Sequence, residues 1–231
     1  MKPDQLPLAM RWPAQQRFET FFAGDNGAAL DLVQRAATDA DAPWVFVSGT
    51  AASGKTHLLI AACAAATATD RRAQYLSLRS LSGGAPDAIR ALGGSDLLAL
   101  DDLDAIAGRR EAEHALFDLY NRGKAETHTF LFAASRVPAQ LGIGLPDLVS
   151  RLSACTQAPL KLLDDTARRE VLRERAAARG IELDEAALAW LFARTQRDLG
   201  SLTTLLDRLD RESLAAKRRV TIPFLRQVLG S

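Results

Sequence analysis

The sequence predicts an α/β phosphate-binding domain followed by a small all-helical domain. Three observations carry this. Gly49-Thr50-Ala51-Ala52-Ser53-Gly54-Lys55-Thr56 is a complete G-x-x-x-x-G-K-[ST] phosphate loop. It stands between an apolar, β-prone run, Trp44–Ser48, and an Ala/Leu-rich run without Gly or Pro, Lys55–Ala68. From Asp164 onward every stretch reads as helix. Strand, loop and helix in that order are the context the motif needs. Glycines let the backbone N–H groups turn toward phosphate oxygens, and the following helix N-terminus adds partial positive charge. Lys55 then reaches the outer phosphates, and the Thr56 hydroxyl is placed for a magnesium ion bridging them.

Composition narrows the classes. The 231 residues are 48% hydrophobic and 25% charged, which supports a sizeable core. No apolar run approaches the ~20 residues of a membrane span. Lys2 is not followed by an apolar signal core, so a cytoplasmic protein is expected. Cys63 and Cys155 lack metal-ligand spacing and read as buried thiols. A net charge of +1 disfavours direct duplex binding. The arginines at 168, 169, 173, 175 and 179 are interleaved with Asp164, Asp165, Glu170 and Glu174, as on a solvated, salt-bridged helix face.

Along the chain, residues 1–16 form a separate segment. Pro3 and Pro7 oppose a helix, yet Leu6, Leu8 and Met10 are apolar. They either pack on the domain or dock into a partner as an extended peptide with Gln5 as polar anchor. Phe18, Phe21 and Phe22 precede a helix over Ala28–Thr38 and read as core aromatics, as a cover for a purine ring, or as both. Further strands are expected at Gln74–Leu78, Leu97–Asp102, Thr129–Ser135 and Gln157–Leu162. A chain break at Ser82–Pro86 precedes a short helix over Asp87–Leu92, and a longer helix covers Arg109–Lys124.

Asp101 ends a four-residue apolar run, so it sits at the strand edge where ligands of open α/β sheets bind, placed to hold magnesium. Asp102 beside it is the candidate to polarise an attacking water. Ser135 either bonds a γ-phosphate or attacking water, or satisfies a loop N–H. Arg151, late in a Pro-started helix from Leu145, is either an arginine finger or a surface ion-pair partner. In the C-terminal region, Asp164 or Asp165 caps a helix through Arg179, closed by Gly180. Asp184 caps Glu185–Thr195, residues 198–217 place Leu199, Leu202, Leu205, Leu206 and Leu209 at helical spacing, and Phe224–Leu229 is a final helix. Arg197 heads the third of these helices, either reaching back to phosphates or exposed. The expected domains are 1–16, 17–162 and 163–231.

The ordered set resembles the AAA+ ATPases. Phe21-Phe22-Ala23-Gly24-Asp25-Asn26, Gly49 to His57, Leu100-Asp101-Asp102-Leu103, Phe117-Asp118-Leu119-Tyr120-Asn121, Ser135-Arg136-Val137-Pro138 and Thr221-Ile222-Pro223-Phe224 are similar to the DnaA branch. The resemblance implies a parallel five-stranded sheet in the order 5-1-4-3-2 and a helical lid. It implies ADP or ATP with Mg2+, contacted by Gly49, Ser53, Gly54, Lys55, Thr56, His57, Ser135 and Arg197, with Thr56 and Asp101 on the metal. The chain stops after the lid, where the initiators continue into a DNA-reading domain. Gln5-Leu6-Pro7-Leu8-Ala9-Met10 resembles the clamp-binding motif of the Hda group, the regulatory inactivators of DnaA.

That group implies a mechanism. Gln5, Leu6, Leu8 and Met10 dock on the DNA-loaded sliding clamp, the β subunit of DNA polymerase III. Arg151 then acts in trans on ATP bound to the DnaA initiator, converting it to the inactive ADP form. Replication initiation is thereby inhibited. DNA is met only through the clamp, the chain's own ATPase is weak or absent, and a homodimer is possible. A helicase-loader or adaptor ATPase of the same branch is the alternative. A loader needs a helicase-contacting extension, and only about fifteen residues precede the core. A DNA-binding adaptor is opposed by the near-zero charge.

Overall fold

The computed structural model describes residues 12–81, 83–194, 206, 208, 209, 211, 212 and 222–229. The chain divides into two compact units after Lys161.

In the first unit, strands β1 (Val45–Ser48), β2 (Ala73–Ser77), β3 (Leu97–Asp101), β4 (Thr129–Ala134) and β5 (Thr156–Pro159) form one five-stranded sheet. All pairs are parallel and the order is β2-β3-β4-β1-β5, which is the expected 5-1-4-3-2 read from the other edge. Helices α1 (Gly27–Thr38), α2 (Lys55–Ala68), α3 (Ala85–Ala91), α4 (Arg110–Ala125) and α5 (Pro146–Ala154) cover it.

The sheet is buried on both faces, which is why β1, β3 and β4 read as continuous apolar runs. Alternation then sorts their side chains. Val45, Val47, Leu97, Ala99, Leu131 and Ala133 pack with α1 and α2. Phe46, Leu98, Leu100, Phe130 and Phe132 pack with α3, α4 and α5. On that second face Trp44 meets Tyr120 and Phe130 edge-on, both at 4.6 Å between centroids.

In this unit two segments depart from the expected bounds by two residues or more. The short helix α3 starts at Ala85, ahead of the expected Asp87, because Pro86 occupies its first turn, where a missing N–H costs nothing. The last strand ends at Pro159 and does not run to Leu162. Leu160 N still donates to Ser48 O at 2.6 Å, but Lys161 turns to a side chain. Asn26 Oδ1 accepts from Lys161 N at 2.7 Å and Asn26 Nδ2 donates to Lys161 O at 3.1 Å. A buried amide thus replaces the strand ladder.

In the second unit, α6 (Asp165–Ala177) is capped by Asp164, whose side chain accepts from Ala167 N. It ends two residues before the expected Arg179. Gly180, at φ +71°, follows, and Ile181 N returns to Ala176 O. Asp184 Oδ1 caps α7 (Glu185–Arg194) through Ala187 N at 2.7 Å. Leu206 and Leu209 are helical and fully buried, and a helix spans Ile222–Leu229. Leu199, Leu202 and Leu205 lie outside the described residues. No described helix is long and apolar enough to cross a membrane.

Cys63 is fully buried and Cys155 nearly so. Burial pushes their thiols up to about 12 and about 11. Both should therefore resist a thiol reagent at neutral pH in the native protein, and both should react once it is unfolded in denaturant. Rapid native labelling of either would contradict this packing.

Candidate functional site

The phosphate loop leaves the carboxyl end of β1. Gly54 caps α2 in the left-handed region, at φ +99°. A side chain there would be strained, and its Cβ would stand 2.8 Å from Phe21 Cε2. Gly49 is as tightly enclosed, since a Cβ would meet Ser53 Oγ at 2.6 Å and Leu160 O at 3.0 Å. Lys55 Nζ folds over this loop and donates to Gly49 O at 2.7 Å and Thr50 O at 2.9 Å. The Ser53 hydroxyl is buried, with no hydrogen-bond partner among the described residues. Such an orphaned donor, beside a Cβ-free cradle at a helix N-terminus, suits phosphate oxygens.

Asp101 is the hub beneath the loop. It is 1% exposed. Its Oδ2 accepts from Thr56 Oγ1 at 2.5 Å and Tyr75 OH at 3.0 Å, and its Oδ1 accepts from Asp102 N at 2.8 Å. Burial raises the Asp101 carboxyl above its ordinary value, against the pull of the Thr56 bond. Burial also lowers Lys55, while Asp101, Asp104 and Asp102 pull it back up. The Thr56 hydroxyl and the Asp101 carboxylate are adjacent hard-oxygen donors at the loop. No cluster of three or more His, Cys, Asp or Glu side chains among the described residues could hold a metal alone. Two protein oxygens fit Mg2+, which keeps waters and takes its other ligands from phosphates.

After Asp101 the chain turns sharply. Asp102 is left-handed, at φ +59°. Its carboxylate accepts from Ser77 Oγ at 3.0 Å and Arg79 Nε at 3.1 Å, both following from β2. Ser135, at the end of β4, bonds Asp104 twice. Its N–H donates to Asp104 Oδ2 at 2.9 Å and its hydroxyl donates to Oδ1. Burial pushes Asp104 up, but the two Ser135 bonds, its own amide and the charge of Lys55 together hold the carboxyl below its usual range. The structure brings Lys55, Thr56, Asp101, Asp102 and Ser135 together, with Tyr75 and Asp104 beside them. Asp104 had a visible signal as the third acid of Asp101-Asp102-Leu103-Asp104. Tyr75 had none, because its place follows from the register Tyr75↔Ala99.

His57 packs with the segment before α1. Its Nε2 is 2.8 Å from Arg17 O, and its ring meets Phe21 edge-on at 5.3 Å. Phe18 and Phe21 pack, half-buried, against the α1/α2 core. Arg151 lies on α5, apart from the loop. Its guanidinium donates to Asn121 Oδ1 and stacks 4.4 Å from the Phe117 ring centroid and 5.5 Å from that of Tyr120. Tyr120 OH also donates to Arg151 O at 3.3 Å. Gln5, Leu6, Leu8, Met10 and Arg197 lie outside the described residues.

Residues 13–158 match the family model of the bacterial DnaA ATPase domain, and residues 165–229 match that of the Hda lid domain. Domain III of the Thermotoga maritima replication initiation protein DnaA is similar in fold, with a TM-score of 0.80 at 20% identity over 95% of this chain and 98% of that one. DnaA from Aquifex aeolicus bound to AMPPCP gives 0.69 at 21% identity over 88% and 71%. The Holliday junction branch migration motor RuvB of Thermotoga maritima gives 0.67 at 17% identity over 95% and 72%. The structural likenesses carry the fold, and the family models carry the descent. A phosphate loop, an acidic β3 end and an arginine helix, in a chain matched over most of its length, make this a member of the bacterial DnaA ATPase-domain family with a lid of the Hda type.

Proposed function

We propose that this chain is a nucleotide-holding negative regulator of replication initiation. It binds the DNA-loaded sliding clamp and promotes hydrolysis of ATP held by the DnaA initiator. The observation that carries the reading is the mount of Arg151. Its guanidinium is held by Asn121, Phe117 and Tyr120, all on α4. A cation so restrained, with its partners drawn from outside the chain's own phosphate loop, suits a neighbour's phosphates better than its own.

Two sites then divide the work. In the first, Gly49, Ser53, Gly54, Lys55 and Thr56 cradle the phosphates of ADP or ATP, and Thr56 with Asp101 would hold Mg2+. The ion, when bound, supplies charge neutralisation at the outer phosphates. His57 supports Phe21 and the segment before α1. Asp102, tied to Ser77 and Arg79, is committed to local bonds. Ser135 is likewise engaged with Asp104. Hydrolysis by the chain itself is accordingly weak.

In the second site, Arg151 stabilises charge developing on the initiator's γ-phosphoryl group. An arginine supplied in trans is worth about 10³–10⁵ in rate in the GTPase case. The initiator leaves in its ADP form, inactive for a further round. Gln5, Leu6, Leu8 and Met10 bring the chain to the clamp, the β subunit of DNA polymerase III. DNA is reached through that partner in the cytoplasm.

Replacing Lys55 by Ala should weaken ADP binding at least about tenfold, roughly 1.4 kcal/mol. Isothermal titration reads this directly, and unchanged affinity would remove the loop from the nucleotide site. The full-length chain should bind its own sliding clamp at micromolar affinity or tighter. A Gln5→Ala/Leu8→Ala variant should lose that binding and the clamp-dependent stimulation of initiator ATPase while keeping ADP. Equal clamp binding by both proteins, or by neither, would end the clamp assignment.

A further inference from the structure

Glu113 is a buried acid that the nucleotide site does not use. It lies in the first turn of α4 and is 2% exposed. Its carboxylate accepts backbone N–H groups from two separate loops. Oε1 accepts from Gly108 N at 2.7 Å and from Gly144 N at 2.9 Å. Oε2 accepts from Gly144 N at 3.1 Å and from Leu145 N at 3.0 Å. A buried carboxylate is costly unless its lone pairs are filled, and here both oxygens are engaged.

The two loops give this bond its meaning. Gly108 lies in the turn that leads from the Asp101–Asp104 corner into α4. Gly144 and Leu145 are the last residues before α5, and Leu145 is its N-cap. Arg151 follows Leu145 by six residues, about 9 Å along the axis. Glu113, Phe117, Tyr120 and Asn121 are spaced i, i+4, i+7 and i+8, so they share one face of α4. That face grips α5 at both ends. Glu113 holds the backbone at its start. Phe117, Tyr120 and Asn121 hold Arg151 near its finish.

A helix fixed at one end can still pivot. With nine residues, α5 is short, and Leu148 and Leu152 are its buried side chains. Apolar contacts are non-directional and tolerate a change of tilt. Hydrogen bonds from adjacent amides to one carboxylate are directional and do not. We infer that Glu113 is a positioning residue for Arg151, setting the angle at which α5 presents the guanidinium to a partner's nucleotide. The inference rests on the trans-acting role proposed for Arg151.

The test uses the full-length chain with clamp-loaded DNA and ATP-bound initiator. Glu113→Gln is titrated beside the wild type and Arg151→Ala. Gln keeps one acceptor but turns an NH2 group toward amides that need an oxygen. A misplacement of ~1 Å can cost about a hundredfold in a reaction that depends on alignment. The maximal stimulated rate should fall at least about tenfold, with the half-saturating concentration within about twofold of wild type. ADP and clamp binding should be unchanged. Glu113→Asp, which keeps the charge and loses the reach, should show the same split.

Full stimulation by Glu113→Gln while Arg151→Ala loses it would overturn the role of Glu113 and leave the finger intact. A rise in half-saturating concentration with the maximal rate preserved would overturn it equally, since that is lost docking. Normal stimulation by Arg151→Ala would remove the finger itself, and this inference with it. Amide exchange supplies an arm that needs no variant. The Gly144 and Leu145 amides should be protected in the wild-type chain, and rapid exchange at both would contradict their bonds to Glu113.

Discussion

The buried Asp101 carboxylate is the constraint on which the nucleotide site depends. It draws three elements to one point. Thr56 brings the first turn of α2, Tyr75 brings β2, and the Asp102 amide brings the turn after β3. Each donor satisfies a lone pair that burial would otherwise leave exposed to a low dielectric. The carboxyl is nonetheless raised, so its charge is held at a cost that a nearby cation would relieve. The geometry of the phosphate loop follows. Lys55 and Thr56 are consecutive, so fixing Thr56 on Asp101 also fixes where Lys55 can reach.

A second consequence concerns division of labour across the sheet. The phosphate loop leaves the carboxyl end of β1. Helix α5 instead ends one residue before β5, beside the amino end of the strands, where Thr156 pairs with Val45. Trp44, Phe130 and Phe132 lie under α4 on that face, and Tyr120 of α4 packs against Trp44 and Phe132. These contacts give α4 a firm bed. From that bed, one helix face presents Arg151. On the function proposed above, one domain holds its own nucleotide with one set of residues and addresses a partner's with another.

Much of this was legible in the chain, and the reasons differ by residue. The phosphate loop is contiguous, and its chemistry restricts residue types so strongly that eight positions suffice. The strand ending in Asp101 was legible because burial on both faces forces an unbroken apolar run. Tyr75 was not, because its bond to Asp101 depends on strand register, which a single sequence does not display. The end of β5 was misplaced because Asn26, 135 positions away, takes over the hydrogen bonds of Lys161. Pro86 read as a break and proved to be a helix start, since proline suits both. Glu113 gave no signal at all. One more Glu in a charged helix looks solvated until tertiary structure delivers the amides of Gly108, Gly144 and Leu145 to it.

The central claim is that one arginine acts across to a partner's nucleotide. Single-turnover hydrolysis of ATP preloaded on the DnaA initiator, with clamp-loaded DNA and either wild-type chain or Arg151→Ala, tests it most directly. The account predicts that the variant binds clamp and ADP as the wild type does, yet leaves the initiator's rate at its unstimulated level. Undiminished hydrolysis in the presence of Arg151→Ala would contradict it.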